Sequence, residues 1–149
     1  MSELNQTALK IVSNDKGILA ADESNPSMIK KFDSINVKSN PENRLNYREI
    51  LFSADGMKNC IGGVILFDET IKQITSSGTS IPDLINNNGT IIGIKVDIGL
   101  KEHPDSSEEK VTEGLEGLKE RLEEYYKMGA RFTKWRVLLN ISEKYPSEI

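Results

Sequence analysis

Ionisable side chains lie near the carboxyl ends of three short apolar segments of the sequence. They are Asp22 in the first segment, Lys95 and Asp97 in the second, and Lys134 and Arg136 in the third. A single lysine in a strand is usually a strand-end residue whose amine reaches solvent. Three charged strand ends on one side would be costly without a function, because charges are expensive to bury unpaired. The group suits an anionic substrate, and closely spaced lysines suit amine and proton-transfer chemistry.

The central segment is residues 91–97. Its β-branched residues and the preceding Asn88-Gly89 turn predict a short buried strand. Side chains alternate along a strand, so the apolar side chains share one face, while Lys95 and Asp97 share the other. The apolar face can pack under helices, and the charged face needs a polar cavity. Such a strand suits a parallel barrel whose carboxyl rim holds the chemistry.

Strand and helix patterns alternate along the rest of the chain. Strands are predicted over Ile18–Asp22, Ile61–Phe67, Ile91–Asp97 and Phe132–Leu138. Helices are predicted over Leu4–Val12, from Pro26, from Pro41 to a stop at Asp55-Gly56, over Ile81–Asn86, and from Leu115 to Tyr125 with Gly129 just past the end. This order predicts an α/β fold with a parallel sheet and right-handed crossovers. Residues 99–110 are predicted to be a solvated loop, and Cys60 a small core residue.

Composition narrows the classes of protein. The 149 residues suit one domain, and a net charge of −4 argues against a broad nucleic-acid-binding surface. No apolar run is long enough to cross a membrane and the start lacks a signal-peptide pattern, so the expected location is the cytoplasm. The single cysteine excludes an internal disulfide, and the single histidine, His103, excludes a histidine cluster around a metal. The sequence predicts neither a metal site nor a cofactor.

Five stretches carry a resemblance to a known enzyme family. They are Gly17–Ser24, Glu42-Asn43-Arg44, Cys60–Phe67, Gly93–Asp97 and Lys134-Trp135-Arg136. In this order and at this spacing, they make the chain resemble the N-terminal part of class I fructose-bisphosphate aldolases. The resemblance implies a partial TIM (β/α)8 barrel and a lyase of glycolysis, usually a homo-oligomer at full length. Such an enzyme reversibly cleaves fructose 1,6-bisphosphate, a small phosphorylated sugar, to dihydroxyacetone phosphate and glyceraldehyde 3-phosphate.

The resemblance also implies two catalytic residues. In the family, a lysine forms a Schiff base with the substrate ketone, which becomes the electron sink for carbon–carbon cleavage. Asp22 matches the aspartate that assists Schiff-base formation and orients substrate hydroxyls. Lys134 matches the lysine that assists proton transfers around the carbinolamine. The other class of aldolases uses a histidine-bound metal, and a single histidine argues against that route.

Four more residues match substrate-binding positions of the family. Lys95 and Arg136 match basic residues at the substrate's hydroxyls and phosphate, and Ser24 and Ser27 match serines of a phosphate-binding loop. Between these serines the family usually has Thr-Gly, whereas this chain has Asn25-Pro26. Proline fixes the backbone and removes an amide donor, which counts against phosphate binding at this loop.

A closed TIM barrel has eight strands and typically about 250 residues. Residues 1–149 are therefore expected to form the N-terminal half of the barrel, a single incomplete domain. By resemblance, the Schiff-base lysine lies on a sixth strand and an acid–base glutamate on a fifth, so this chain is expected to be inactive alone. Two alternatives stay open. The chain could be a non-catalytic fragment that associates with itself or with a full aldolase subunit through open sheet edges, or a different small α/β enzyme that uses a lysine.

Overall fold

A computed structural model describes residues 1–147. The strands are β1 (Gly17–Ala21), β2 (Ile61–Leu66), β3 (Ile91–Lys95), β4 (Gly99–His103), β5 (Ser106–Glu113) and β6 (Ala130–Lys134). The helices are α1 (Glu3–Ile11), α2 (Asn25–Asp33), α3 (Pro41–Phe52), α4 (Met57–Cys60), α5 (Asp68–Ile71), α6 (Ile81–Asn87) and α7 (Leu118–Lys127), with a 3-10 turn at Ser13–Asp15. Within residues 1–147, none of these helices has the length and apolarity that crossing a bilayer requires.

Four strands form a parallel sheet in the order β1-β2-β3-β6. This confirms the α/β fold that the alternation of strands and helices predicts. The register aligns Lys95 of β3 with Lys134 of β6. Aligned residues of neighbouring parallel strands project to the same side of a sheet. The two lysines therefore lie on the same face of the sheet and at the same carboxyl end of its strands.

The two faces of this sheet differ in what they carry. On one face, Val64, Leu66 and Ile94 are fully buried in the core formed with the helices. On the other face, Gly93 leaves room for the ring of Phe132, since a Cβ at Gly93 would lie 2.3 Å from that ring. The charged strand ends belong to this second face, as the alternation along β3 predicts.

Three helices, α2, α3 and α6, begin with a polar cap residue followed by a proline in the first turn. The side chains of Asn40 and Ser80 cap α3 and α6 by accepting hydrogen bonds from the amides of Asn43 and Asp83, at 2.7 and 3.1 Å. Ser24 holds the same position before α2 and makes no such cap bond. Its hydroxyl is therefore left for other partners.

The prediction of a solvated loop over residues 99–110 is wrong. β4 and β5 form an antiparallel hairpin. Ion pairs across it join Lys110 to Glu102 at 2.6 Å and Lys101 to Glu113 at 3.0 Å. The polar composition concealed the strands, because an exposed hairpin is stabilised by main-chain hydrogen bonds and cross-strand charge pairs rather than by an apolar face.

Two smaller predictions are also wrong. Helix α7 begins at Leu118 rather than Leu115, which is 73% exposed, because Gly117 with a φ of 62° interrupts the chain there. Gly129 does follow α7 as predicted, with a φ of 104°. Cys60 is exposed rather than part of the core, because it ends the one-turn helix α4 ahead of β2.

Candidate functional site

The carboxyl ends of the parallel strands open into a cavity of about 720 Å³. Its lining includes all the residues that the sequence predicts for the site, namely Asp22, Ser24, Ser27, Lys95, Lys134 and Arg136. Asp22 directly follows β1, and Lys95 and Lys134 end β3 and β6. β6 is shorter than predicted, so Arg136 lies in the segment after it. Parallel strands place their carboxyl ends together, which is why residues distant in sequence meet here.

One ion pair in this cavity joins the two outer strands of the sheet. The amine of Lys134 donates a hydrogen bond to Oδ2 of Asp22 at 2.6 Å. β1 and β6 are separated by two strands in the sheet order, so their ends meet only because the sheet curls like a barrel wall. The Asp22 side chain is 8% exposed, and that of Lys134 is more open.

A second ion pair lies at the end of β3. The amine of Lys95 donates to Oδ1 of Asp97 at 2.5 Å and to the backbone oxygen of Asp97 at 2.7 Å. The other carboxylate oxygen of Asp97 accepts from the backbone N–H of Arg136 at 3.2 Å. Asp97 belongs to the predicted group of charges, but the family resemblance assigns it no role.

The two serines lie at the start of α2. Their hydroxyl oxygens are 3.2 Å apart, and the backbone carbonyl of Ser24, not its hydroxyl, accepts the N–H of Met28 at 2.9 Å. Pro26 sits in the first turn and has no N–H, so the amides of Asn25 and Ser27 are the ones this turn can offer to an anion. Asn25-Pro26 is therefore compatible with the helix start but provides one amide donor fewer than Thr-Gly would.

A fully buried arginine holds the backbone on both sides of Asp22. Arg48 of α3 donates from Nε to the carbonyl of Ala21 at 3.2 Å and from Nη2 to the carbonyl of Glu23 at 2.8 Å. Its side chain is 0% exposed, and burial lowers the pKa of Arg48 from its ordinary value. The sequence pattern was not used to predict this role of Arg48. Arg48 lies four residues before the buried Phe52 and therefore on the same face of α3, which could have indicated that it is buried.

A third set of contacts supports the loop between β1 and α2. Arg44 binds Glu69 through Nε at 2.8 Å and Nη2 at 2.6 Å, and Glu69 also accepts from Nδ2 of Asn25 at 3.4 Å. The bond from Arg44 lowers the pKa of Glu69 despite partial burial. Burial raises the pKa of Glu23, but the hydrogen bond from Lys31, a backbone hydrogen bond and the charges of Lys31 and Arg48 together lower it. Glu23, next to Ser24, and Glu69, which contacts Asn25, are therefore both favoured as anions by neighbouring donors and cations.

The opposite wall of the cavity comes from α7. The hydroxyl of Tyr125 donates to Oδ1 of Asp68 at 2.9 Å, and burial followed by this bond raises the pKa of Tyr125. Arg121 donates to the carbonyls of Val96 at 2.9 Å and Gly114. Sequence reasoning missed this wall as well, because the contacts of α7 depend on how the helix packs onto the sheet.

Across residues 1–147, no group of three or more histidine, cysteine, aspartate or glutamate side chains converges as a metal site would. His103 lies on the hairpin, where its Nδ1 accepts from the amide of Asp105 at 3.1 Å. The cavity instead offers ammonium and guanidinium groups and a buried carboxylate.

A parallel sheet with helices packed on it and charged residues at the carboxyl ends of its strands is typical of part of a TIM barrel. A profile of the family described as Fructose-bisphosphate aldolase class-I matches residues 3–149. Fructose-bisphosphate aldolase 2 of Plasmodium berghei is 50% identical over 139 residues, 93% of this chain and 38% of that protein. Fructose-bisphosphate aldolase C-A of Danio rerio is 49% identical over 148 residues, 99% of this chain and 41% of that protein. The chain belongs to the class I fructose-bisphosphate aldolase family.

A solved structure agrees with this assignment. The fructose-bisphosphate aldolase of Plasmodium falciparum, crystallised with TRAP and a small-molecule inhibitor, matches with a TM-score of 0.94 at 48% identity. The match covers 98% of this chain and 43% of that chain. The chain thus spans about two fifths of the length of its relatives, and its parallel sheet is part of a TIM barrel. Family membership sets aside the alternative of an unrelated enzyme that uses a lysine.

Proposed function

We propose that residues 1–149 provide the N-terminal half of a class I aldolase barrel domain. The proposed reaction of the complete domain is the reversible cleavage of fructose 1,6-bisphosphate to dihydroxyacetone phosphate and glyceraldehyde 3-phosphate, a step of glycolysis in the cytoplasm. The full-length protein is proposed to be a homo-oligomer. The observation that supports this best is the 2.6 Å contact between Lys134 and Asp22 in a cavity that also contains Lys95 and Arg136.

The proposed catalytic contribution of this half is proton transfer. Forming a Schiff base at the substrate ketone requires a proton to reach the carbinolamine oxygen before it leaves as water. Lys134 is the proposed donor, since its amine is exposed to the cavity and is already bonded to Asp22. The C–O bond of the carbinolamine then breaks to release water, while the Asp22 carboxylate, which accepts a hydrogen bond from Lys134, holds that amine in place and orients the substrate hydroxyls.

The proposed substrate-binding residues suit a phosphate group. Ammonium and guanidinium donors form short, charge-assisted bonds to phosphate oxygens. Lys95 and Arg136 are such donors, and the hydroxyls of Ser24 and Ser27 add two more donors to the lining of the same cavity. The two groups of donors line one cavity, so a phosphorylated sugar can contact both.

Calorimetric titration of the 149-residue chain with fructose 1,6-bisphosphate tests the binding part of this proposal. We expect the wild-type chain to bind, and Lys134→Met to weaken binding by about fivefold or more, because one charge-assisted contact is lost. Lys110→Met is the matched control, since it removes a cation from an ion pair on the hairpin outside the cavity. Absence of binding by the wild-type chain would contradict the proposal.

We also propose that these residues alone do not turn over substrate. By resemblance, the Schiff-base lysine lies on a sixth barrel strand, and residues 1–147 contain four strands of the parallel sheet. Dihydroxyacetone phosphate and borohydride should leave no covalent adduct detectable by mass spectrometry, whereas a full-length class I aldolase treated alongside should be trapped. Robust trapping would instead identify Lys95 or Lys134 as a substitute nucleophile.

Association through the sheet edges is a second candidate function. Within residues 1–147, β1 and β6 are each paired on one side only, and Ile18 of β1 is 49% exposed. Unpaired strand edges and exposed apolar side chains favour pairing with another chain. Size-exclusion chromatography with light scattering should then show dimers, or a complex with an added aldolase subunit. A monodisperse monomer with no such complex would exclude this role.

A further inference from the structure

Asp97 is one of the most deeply buried ionisable groups next to the cavity. Its side chain is 2% exposed, and each of its carboxylate oxygens has a hydrogen-bond donor. A carboxylate that only ended a strand would face solvent, because its burial is costly. Its burial beside Lys95 and Arg136, the two residues proposed to bind phosphate, therefore needs a reason.

The contacts of Asp97 restrict both Lys95 and Arg136. Lys95 directs two bonds to Asp97, at 2.5 and 2.7 Å, which leaves one N–H of the ammonium for a ligand. The backbone N–H of Arg136 donates to the second carboxylate oxygen at 3.2 Å, and the carbonyl of Arg136 accepts from the hydroxyl of Thr112 at 2.8 Å. One carboxylate thus links the amine of Lys95 on β3 to the backbone from which the Arg136 side chain extends.

The backbone around Asp97 is held independently of its carboxylate. Arg121 donates to the carbonyl of Val96 at 2.9 Å, and the N–H of Val96 donates to the carbonyl of Lys134 at 3.1 Å. The N–H of Ile98 donates to the carbonyl of Glu113 at 3.0 Å. These main-chain bonds do not involve the side chain at position 97, so substitution there should act chiefly on the carboxylate's partners.

We propose that Asp97 is a positioning residue that holds Lys95 and Arg136 at the spacing needed to bind one phosphate group of the substrate. The inference rests on the proposed function and extends it to a residue that lines the same cavity and acts on the ligand through Lys95 and Arg136. The competing explanation is that Asp97 is only a counter-ion, and it predicts the opposite change in affinity when the carboxylate is removed. Removing a negative charge beside a phosphate site strengthens anion binding because electrostatic repulsion falls, whereas losing the alignment of Lys95 and Arg136 weakens it.

Calorimetric titration with fructose 1,6-bisphosphate separates the two explanations. Lys95 and the Arg136 amide bind different carboxylate oxygens, and in Asp97→Asn one of these becomes an NH2 donor, so one of the two partners loses its acceptor. We expect the dissociation constant to rise by about fivefold, although the variant is more positive than the wild type. Glu102→Gln makes the same charge change in an exposed ion pair on the hairpin and should stay within about twofold of the wild type.

Asp97→Glu provides a second test, and it applies even if Asp97→Asn fails to fold. Glutamate keeps the charge but displaces the carboxylate by one methylene. A positioning role therefore predicts weaker binding, whereas a counter-ion role predicts unchanged binding. Unchanged or tighter binding by a folded Asp97→Asn, or unchanged binding by Asp97→Glu, would overturn the inference while leaving the proposed function intact. A wild-type chain that binds no fructose 1,6-bisphosphate would overturn the proposed function and this inference with it.

Discussion

Single charged residues beneath the cavity support the loop between β1 and α2. Arg48 is fully buried and Arg44 is buried, and each bonds to the backbone or to a carboxylate of the elements around that loop. A buried ion pair is seldom a large net source of stability, but removing one partner is costly because the other is left unpaired. These arginines are therefore best understood as fixing Asp22 and the serines in place.

Arg48→Met should lower the free energy of unfolding by about 2–4 kcal/mol, because two carbonyls and Glu23 lose a buried donor. Urea denaturation followed by circular dichroism measures the change. Arg131→Met is the control, since Arg131 is exposed and stacks on Tyr126, and it should cost less than about 1 kcal/mol. Equal costs for the two variants would show that Arg48 has no special structural role.

The Arg44–Glu69 pair predicts a pH dependence of stability. The hydrogen bond from Arg44 lowers the folded pKa of Glu69, so the unfolded chain takes up this proton first as the pH falls. The contribution of Glu69 is complete above its unfolded pKa, about 4.3, and is lost as the pH falls through the folded value. In urea denaturation from about pH 6 down to pH 3, Glu69→Gln should lose stability less steeply than the wild type. A steeper loss in the variant would contradict the assignment.

At the scale of elements, the start of α2 is where this chain differs from the family's usual pattern. Helix N-termini bind anions through free amides, and Pro26 removes one of those amides. The same proline pre-forms the first turn, which reduces the entropy of the unfolded chain. The loop thus gains order at the expense of one donor, and the serine hydroxyls at 3.2 Å become more important for phosphate binding.

Pro26→Gly should restore an amide donor and tighten fructose 1,6-bisphosphate binding by about twofold to threefold, while lowering stability by roughly 1 kcal/mol. Pro82→Gly is a close control, because Pro82 occupies the corresponding first-turn position of α6, outside the cavity. It should cost similar stability and leave affinity unchanged. Calorimetry and thermal unfolding measure the two effects, and equal affinity changes in both variants would exclude a direct role of the amide.

At the scale of the whole molecule, the curl of the sheet creates the site. Asp22 and Lys134 are 112 positions apart in sequence and lie on opposite outer strands, yet they form a hydrogen bond. Helices pack on one face of the sheet, and on the other face the ring of Phe132 packs against Gly93. The ion pair therefore reports on the packing of the entire sheet.

A double-mutant cycle measures that long-range contact. Asp22→Asn, Lys134→Met and the double variant should show a coupling of about 0.5–1 kcal/mol in the free energy of unfolding, since Lys134 is partly exposed to solvent. The coupling should shrink at high salt. Single-variant effects that add to within about 0.3 kcal/mol would mean that the two groups do not interact in solution.

Much of this fold and site was predictable from local patterns. The parallel strands, the helix starts at Pro26 and Pro41 and the placement of the site residues at one edge follow from alternation, capping signals and strand ends. The hairpin was missed because exposed strands lack an apolar face. Cys60 and Leu115 were misplaced because small and apolar residues at element ends have no periodic pattern that reports their burial.

The sequence by itself determined which side chains end the strands and which of them share a face, because the direction of a side chain along a strand follows from covalent geometry. It also determined the enzyme family through ordered motifs. Only the tertiary structure decided which charges meet, such as Asp97 with the Arg136 amide, and Arg48 with the carbonyls around Asp22. Those contacts depend on sheet curvature and helix packing, which arise from all the side chains together.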